Sequence, residues 1–301
     1  MSREKVIIIG GPTESGKTAL SISIAKKFNG ELINADSRQI YKYLNIGTNK
    51  GEIYEYNNIS FIDNIPIHLV NFLNPDIRFS VFEYKKIAEK TIKEILDRGK
   101  LPIIVGGTGL YIDSIIKQYL LSSNNTDQSY RMYLESLSLH DLQEILQKID
   151  LNSLINLNIS DRSNPRRLIR VIEKIKNNSQ INENHTQNNF EYDFFYPSFS
   201  WQELKVRIEN RVEQMFNNGL VNETKEILKM GFPEDSVALQ GIGYREVIKF
   251  LNNTLDLNTC IELVKISHKQ YAKRQKTWFE GKKRNYNLIR INNSILDQFH
   301  L

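Results

Sequence analysis

The stretch Val6-Ile7-Ile8-Ile9, followed after one residue by Gly11-Pro12-Thr13-Glu14-Ser15-Gly16-Lys17-Thr18, decides the fold of this chain. A short apolar run, a turn with the spacing G-x-x-x-x-G-K-[ST] and a following helix make a phosphate-binding loop. Backbone N–H groups in such a loop converge on one point, the helix N-terminus adds partial positive charge, and Lys17 adds a full charge. The Thr18 hydroxyl can ligate Mg²⁺. The sequence therefore predicts a site for a di- or triphosphate, and it leaves open which compound binds and whether a phosphate is transferred.

Length and composition describe an ordinary globular protein. The chain has 301 residues, of which 40% are hydrophobic and 25% charged, enough for one α/β core and a smaller attached domain. No apolar stretch approaches the roughly 20 residues of a membrane span, and the N-terminus runs directly into the first strand. The single cysteine, Cys260, excludes a disulfide framework and a multi-cysteine zinc site. We expect a monomeric, cytoplasmic protein without a signal peptide or membrane contact.

Strand and helix signals alternate through the first part of the chain. A second strand at Glu31–Asp36, a short apolar run at Ile67–Phe72 and a buried strand at Leu101–Val105 alternate with helical segments, one of them opened by a capping-box pair, Ser80 and Glu83. This alternation predicts an α/β fold with a mainly parallel sheet and helices on both faces. Ligands of such sheets bind beyond the carboxyl ends of the strands. The phosphate loop, Asp36-Ser37 and Thr108 are therefore expected to meet.

Beyond residue 118 the strand signals fade. We predict a core first part at 1–118, a helical insertion at 119–197 and a helical part at 198–301 that completes the core. Asparagine-rich stretches at 122–126 and 177–189 flank the insertion's helices, and we expect the second stretch to be a mobile loop. Asn164-Pro165 opens one helix, and Ser200 with Glu203 opens another.

Three roles are open to Asp36: two are chemical, and the third is a structural role as a turn cap. As a Mg²⁺ ligand it would complete an ATPase site, and as a general base it would take a proton from a nucleophile. The run Ile33-Asn34-Ala35 is too short and polar for the strand that carries the acidic metal ligand in ATPases, and the strand at 101–105 ends in glycines. The sequence therefore argues against vigorous ATP hydrolysis.

Basic residues recur at positions that suit anions. Arg207 and Arg211 share a helix face, which suits a diphosphate or pairing with acids of the same helix. Arg166, Arg167 and Arg170 suit an RNA backbone or a salt-bridged surface. The net charge is only +5, but one basic run near the C-terminus includes aromatic side chains, which favours nucleic acid over a solvated helix face. Its cations are Lys265, Lys269, Lys273, Arg274, Lys276, Lys282, Lys283, Arg284 and Arg290.

Seven blocks together resemble the bacterial tRNA dimethylallyltransferase (tRNA isopentenyltransferase) family. The phosphate loop resembles its G-P-T-x-S-G-K-T, and Asn34–Thr48 resembles its D-S-x-Q-I-Y-K block. Val105–Tyr111 matches V-G-G-T-x-L-Y, and Asn164–Arg170 matches N-P-x-R-x-x-R. Three later blocks follow in family order, namely Arg207–Met215, Ile242–Glu246 and Lys273–Phe279.

The resemblance implies transfer of a dimethylallyl group from dimethylallyl diphosphate to N6 of the adenosine 3′ of the anticodon, with release of diphosphate. It implies that Asp36 is the base, that Thr108 forms a hydrogen bond in the reaction channel and that Arg211, with Arg207 as a helper, binds the diphosphate. The phosphate loop, Gly11, Pro12, Thr13, Glu14, Ser15, Gly16, Lys17 and Thr18, would hold the diphosphate, with Mg²⁺ at Thr18. The implied tRNA-contacting residues are Asp36, Ser37, Arg38, Gln39, Thr108, Arg131, Arg166, Arg167, Leu168, Ile169, Arg170, Gln240, Gly241, Ile242, Gly243, Tyr244, Arg245, Lys273, Arg274, Gln275, Lys276, Thr277, Trp278, Phe279 and Glu280.

Glu14 departs from the family pattern, which commonly has alanine in this position. An acid near a diphosphate should weaken donor binding unless its side chain points away. Three other interpretations stay open at this stage: a free adenine nucleotide as the acceptor, a P-loop kinase of a nucleotide or small metabolite, and a noncatalytic RNA-binding module that uses a nucleotide as a switch.

Overall fold

The computed structural model describes residues 4–117, 128–176, 190–281, 284 and 286–291. The strands are β1 (Glu4–Gly10), β2 (Gly30–Asn34), β3 (Ile53–Tyr56), β4 (Ile59–Ile62), β5 (Ile65–His68), β6 (Leu101–Gly106), β7 (Phe190–Pro197) and β8 (Leu288–Ile291). The helices are α1 (Lys17–Phe28), α2 (Val81–Asp97), α3 (Gly109–Ile116), α4 (Gln128–Glu135), α5 (Leu139–Ile149), α6 (Leu151–Asn156), α7 (Ile159–Arg162), α8 (Pro165–Lys176), α9 (Trp201–Asn217), α10 (Leu220–Lys229), α11 (Tyr244–Leu251) and α12 (Leu257–Glu280). The asparagine-rich stretches at 122–126 and 177–189 lie outside the described residues.

Eight strands form one sheet in the order β3-β4-β5-β2-β6-β1-β7-β8. In the described part of the chain the pairs from β5 to β8 are parallel, and the β3–β4 and β4–β5 pairs at one edge are antiparallel. Parallel neighbours need crossover connections, and helices supply them. The predicted mainly parallel α/β sheet is confirmed.

Alternating side chains of β1 build a core on each face of the sheet. Val6 and Ile8 pack into a cluster that includes α2 and α3 residues, whereas Ile7 and Ile9 pack into a cluster with α1. Successive strand residues point to opposite faces, so a strand covered on both sides is apolar throughout. This is why the run at 6–9 shows no polar alternation.

Helix caps follow the sequence closely. Ser80 with Glu83 and Ser200 with Glu203 each form a reciprocal capping box at the start of α2 and α9. Ser138 with Asp141 forms a further box at α5. Local side chain to backbone hydrogen bonds decide these ends, so the two boxes predicted from sequence are confirmed.

The chain divides into two compact units, one of residues 1–118 and 187–301 and the other of residues 119–186. The second unit contains α4 to α8, and its core includes Leu142, Leu146, Leu168 and Ile172. The predicted insertion boundary at 197 was wrong. Residues 190–197 form β7, which pairs with β1 from Glu4↔Phe190 to Ile9↔Phe195. Its partner is far away in sequence, so no local pattern identified it.

Among the described residues, no helix combines the length and apolar character needed to cross a membrane.

Candidate active site

The phosphate loop connects β1 to α1 at the carboxyl end of the sheet. Gly16 has φ of 89°, a left-handed conformation that favours glycine, and α1 begins at Lys17. Burial lowers the pKa of Lys17 to about 8, while the charges of Asp36 and Glu14 act in the opposite direction. The Ser15 hydroxyl oxygen is buried and has no hydrogen-bond partner among the described residues. A loop with a buried cation and an unsatisfied hydroxyl suits an anion.

Glu14 adopts a left-handed conformation with φ of 61°. Its carboxylate accepts a hydrogen bond from Asn49 Nδ2 at 2.9 Å, and its carbonyl oxygen lies 3.5 Å from Arg207 Nη1. The side chain is therefore held by the loop that follows β2. The negative charge of Glu14 also favours the charged form of Arg211 on α9.

Arg207 and Arg211 lie one turn apart on α9 beside the phosphate loop. Burial lowers the pKa of Arg211, and the charge of Glu14 opposes that shift. Arg211 Nε is buried without a hydrogen-bond partner among the described residues. A guanidinium with an unsatisfied buried donor is prepared to bind an anion.

Asp36 and Thr108 meet at the ends of β2 and β6. Ser37 N donates to Thr108 Oγ1 at 2.9 Å, and Thr108 N donates to the Ala35 carbonyl at 3.0 Å. The Asp36 carboxylate accepts from Arg38 N at 2.9 Å. The convergence of Asp36-Ser37 with Thr108 is confirmed, and the Asp36 side chain faces the cleft.

Gln275 of α12 connects the phosphate loop to the turn after β6. Its Oε1 accepts from Thr13 N at 2.9 Å, and its Nε2 donates to the Gly107 carbonyl at 3.0 Å. Only 4% of Gln275 is exposed. The amide of this side chain has a structural role between two turns, and its predicted RNA contact stays a prediction.

A cleft of about 600 Å³ unites these groups. Its lining includes Lys17, Thr18, Asp36, Arg207, His268 and Tyr271. All of these residues belong to the first unit. The cleft therefore brings a lysine and an arginine together with a carboxylate in one space.

The loop after Asp36 is held from α10 and α11. The Glu223 carboxylate accepts from the backbone N–H groups of Asn45 and Ile46 at 3.0 and 2.9 Å. Tyr244 Oη donates to Glu223 at 2.6 Å and accepts from Gly47 N at 3.1 Å. Sequence reasoning missed Glu223, because its partners are far away in sequence and no local pattern connects them.

The predicted tRNA-contacting residues divide by exposure. Leu168, Ile169, Tyr244 and Phe279 are almost fully buried and pack in hydrophobic clusters, so their side chains have a packing role, and their predicted RNA contact stays a prediction. Successive side chains of a helix or loop point in different directions, so a continuous stretch of RNA-contacting sequence also includes residues that pack in the core. The backbones of Gly241 and Gly243 are buried as well. The exposed members are Arg166, Arg167, Arg170, Gln240, Arg245, Lys273, Arg274 and Thr277, and the half-buried ones are Asp36, Ser37, Arg38, Gln39, Thr108, Arg131, Ile242, Lys276, Trp278 and Glu280.

Several cations of these segments have acidic partners. Arg131 pairs with Glu135 and Glu173, Arg167 with Asp161, and Arg245 with Glu246. On α12, Lys276 pairs with Glu280, while Lys265 and Lys269 pair with acids of α9. The alternative of a salt-bridged surface thus holds for Arg167, and part of the basic run is paired with acids as well.

The site's fit to Mg²⁺ rests on Thr18. No group of three or more His, Cys, Asp or Glu side chains that could hold a metal occurs among the described residues. Mg²⁺ often binds through substrate phosphates, water and one or two protein oxygens. The exposed Thr18 hydroxyl on the first turn of α1 fits this kind of site.

Comparisons with known proteins agree with this geometry. The family model described as IPP transferase matches residues 39–284. The tRNA isopentenylpyrophosphate transferase of Bacillus halodurans is 33% identical over 99% of this chain and 95% of its own, with a TM-score of 0.71. The corresponding enzyme of Staphylococcus epidermidis is 35% identical over 98% of this chain and 97% of its own, with a TM-score of 0.69.

A eukaryotic dimethylallyltransferase, crystallised acting on tRNA, has a TM-score of 0.76 and 28% identity over 97% of this chain and 75% of its own. The resemblance inferred from the sequence blocks is confirmed. The chain belongs to the IPP transferase family and is a prenyltransferase.

Proposed function

We propose that this enzyme transfers a dimethylallyl group from dimethylallyl diphosphate to N6 of the adenosine immediately 3′ of the anticodon in tRNA. One observation carries the proposal. A single cleft joins an anion-binding loop, Lys17 and Arg207 to the carboxylate of Asp36. Prenyl transfer to an amine needs both groups, because a diphosphate must leave and a proton must be removed.

The donor's diphosphate binds to the phosphate loop and to Arg211. The bond between C1 of the prenyl group and the diphosphate oxygen breaks, and N6 forms a new bond to C1. Lys17 and Arg211 stabilise the negative charge that accumulates on the departing diphosphate. Mg²⁺, held by Thr18 and the diphosphate, would supply further positive charge there.

Asp36 accepts the proton that N6 loses. The N6 lone pair is delocalised into the purine ring, so N6 is a poor nucleophile and removal of its proton assists attack. The hydrogen bond from Arg38 N orients the carboxylate, and the Thr108–Ser37 contact fixes the backbone that carries it. Asp36 returns to its charged form by releasing the proton to water.

The acceptor base reaches the cleft only after leaving its stack, which costs a few kcal/mol. Contacts of RNA phosphates with exposed cations can offset that cost. Lys273 and Arg274 of α12 are exposed, and Arg274 lies 5.8 Å from the Tyr271 ring centroid, beside the cleft. Arg166 and Arg170 supply exposed cations on the second unit. A free nucleotide would need none of these contacts, so they favour tRNA as the acceptor. We further propose that the enzyme is a monomer and acts in the cytoplasm.

Mass spectrometry of nucleosides tests the proposal. Purified enzyme is incubated with Mg²⁺, dimethylallyl diphosphate and either unmodified tRNA or AMP. We expect one adenosine of the tRNA to gain a five-carbon unit and AMP to stay unmodified. Prenylated AMP with unmodified tRNA would contradict the proposed acceptor. Turnover of ATP without prenylation of either acceptor would contradict the proposed reaction.

A further inference from the structure

His268 lies on α12 and lines the cleft, and the charge of Arg211 on α9 acts on its imidazole. Two ion pairs fix this alignment, Lys265–Glu213 at 3.1 Å and Lys269–Glu209. They show that α9 and α12 run side by side in opposite directions. Arg211 on α9 and His268 on α12 both lie between the two pairs. The two side chains are therefore neighbours, in agreement with the effect of the Arg211 charge on His268.

Two nitrogen atoms at this place lack partners. His268 Nε2 and Arg211 Nε are both buried, and neither has a hydrogen-bond partner among the described residues. Buried polar groups are normally satisfied, and an exception points to a ligand or to a functional role. Two unsatisfied nitrogens on adjacent helices indicate an anion that both can bind.

A purely structural role for His268 would require a protein acceptor. Glu246 of α11 is the nearby acid, but its carboxylate already accepts from Arg245 Nε at 2.7 Å, Ser267 Oγ at 3.0 Å and Gly243 N at 2.8 Å. These bonds anchor α11 and α12 to each other. His268 Nε2 is not among the donors to Glu246, and His268 lines the cleft.

We propose that His268 is a further ligand of the donor's diphosphate, which its Nε2–H binds beside the Arg211 guanidinium. The inference rests on the proposed function, because it uses the diphosphate of the prenyl donor. It adds a residue of α12 to a site otherwise formed by the phosphate loop and α9. No covalent step involves His268.

The groups around His268 set the pKa of its imidazole, and this pKa makes diphosphate binding depend on pH. Burial lowers the pKa of His268 to about 4, Glu246 acts in the opposite direction, and Arg211 and Arg245 lower it further. The imidazole is therefore neutral at pH 7 in the free enzyme. A bound diphosphate raises this pKa, so between the free and bound pKa values binding takes up a proton. Affinity for diphosphate then increases as pH falls through that window.

Calorimetry with Mg²⁺ and inorganic diphosphate tests the inference. Titrations at pH 6.5 in buffers of different ionisation enthalpy give the number of protons taken up on binding. We expect His268→Leu to weaken binding about tenfold or more, because a hydrogen bond to a charged group is lost. We expect His268→Gln to retain part of the affinity through its amide donor. Both variants should lack the proton uptake that the wild type shows beyond that of diphosphate itself.

His140→Gln is the matched control, since His140 is exposed on α5 of the other unit. A wild-type measurement avoids any folding defect of the variants. The chain has five histidines. In an NMR titration, diphosphate should shift the imidazole resonance with the lowest pKa.

Lys17→Ala separates the two proposals. Wild-type affinity and proton uptake in His268→Leu, with binding lost in Lys17→Ala, would overturn the role of His268 and retain the proposed function. No diphosphate binding by the wild type would overturn both.

Discussion

Two glycine-rich turns follow neighbouring strands of this sheet, and they have opposite surroundings. The phosphate loop follows β1, and a β-carbon added at its Gly16 would meet no atom within 4 Å. The turn at 106–109 follows β6, and added β-carbons there would lie 2.2 Å from the Ala35 carbonyl oxygen at Gly106 and 2.2 Å from Trp278 at Gly109. The first turn therefore has open space at Gly16, whereas protein atoms pack closely against the second turn at Gly106 and Gly109.

A strand, a glycine turn and a helix therefore do not by themselves define a binding site. In the phosphate loop, glycine provides a left-handed conformation at the start of a helix. In the second turn, glycine allows close packing, which places Thr108 against Ser37 beside Asp36. We infer that the open turn binds the donor and the closed turn positions the base. Four predictions test this division, in order of decreasing effect.

Asp36→Asn tests the role of the closed turn. Asparagine can still accept the hydrogen bond from Arg38 N, but it cannot act as a general base. We expect the single-turnover rate of prenyl transfer to fall by roughly 10²–10⁴ with the affinity for diphosphate little changed. Asp76→Asn, at an exposed acid outside the cleft, is the control. A loss of affinity at an unchanged rate would assign Asp36 to binding.

Alanine at a glycine of each turn compares the turns directly. Gly106→Ala would force a β-carbon against the Ala35 backbone, and we expect unfolding free energy to fall by about 3 kcal/mol or more. Gly16→Ala has open space and only the cost of its positive φ, about 1 kcal/mol. Urea denaturation followed by circular dichroism measures both. Equal losses would show that the two turns are equally constrained.

The pH dependence of diphosphate binding tests the open turn. The pKa of Lys17 is lowered to about 8, so the side chain is charged below that pH and loses its charge above it. Because an anion binds the charged form, affinity should decrease about tenfold between pH 7 and pH 9. Lys17→Arg, which stays charged, should remove the Lys17 contribution to this decrease. The same pH profile in both proteins would mean that another group titrates.

Replacement of exposed cations on α12 should have the smallest effect. The double variant Lys273→Ala with Arg274→Ala should weaken tRNA binding several-fold and leave the diphosphate affinity unchanged. The slope of log affinity against log salt concentration should fall by the amount expected for the loss of up to about two phosphate contacts. The matched control is Lys265→Ala with Lys269→Ala, since these lysines already pair with Glu213 and Glu209. A salt dependence that changes equally in both double variants would reject a specific contact at 273–274.

Local patterns predicted much of the fold. The apolar run at 6–9, the phosphate loop and two capping boxes depend on neighbours in sequence, and the structure confirms them. β7 and the edge hairpin of β3 and β4 were missed. Each depends on strand pairing or packing that no short window contains. The meeting of Asp36-Ser37 with Thr108 could be predicted, because the carboxyl ends of parallel strands share one edge.

The sequence by itself determined a phosphate loop, a mainly parallel sheet and the blocks that identify the family. Tertiary structure alone decided which of those residues reach the cleft. Gln275 forms hydrogen bonds to both Thr13 and Gly107, and Leu168 and Phe279 pack in hydrophobic clusters. Glu223 accepts hydrogen bonds from a loop about 180 residues away in sequence. The physical reason is that hydrogen bonds within a turn depend on adjacent residues, whereas burial and distant pairing depend on how helices pack on the sheet.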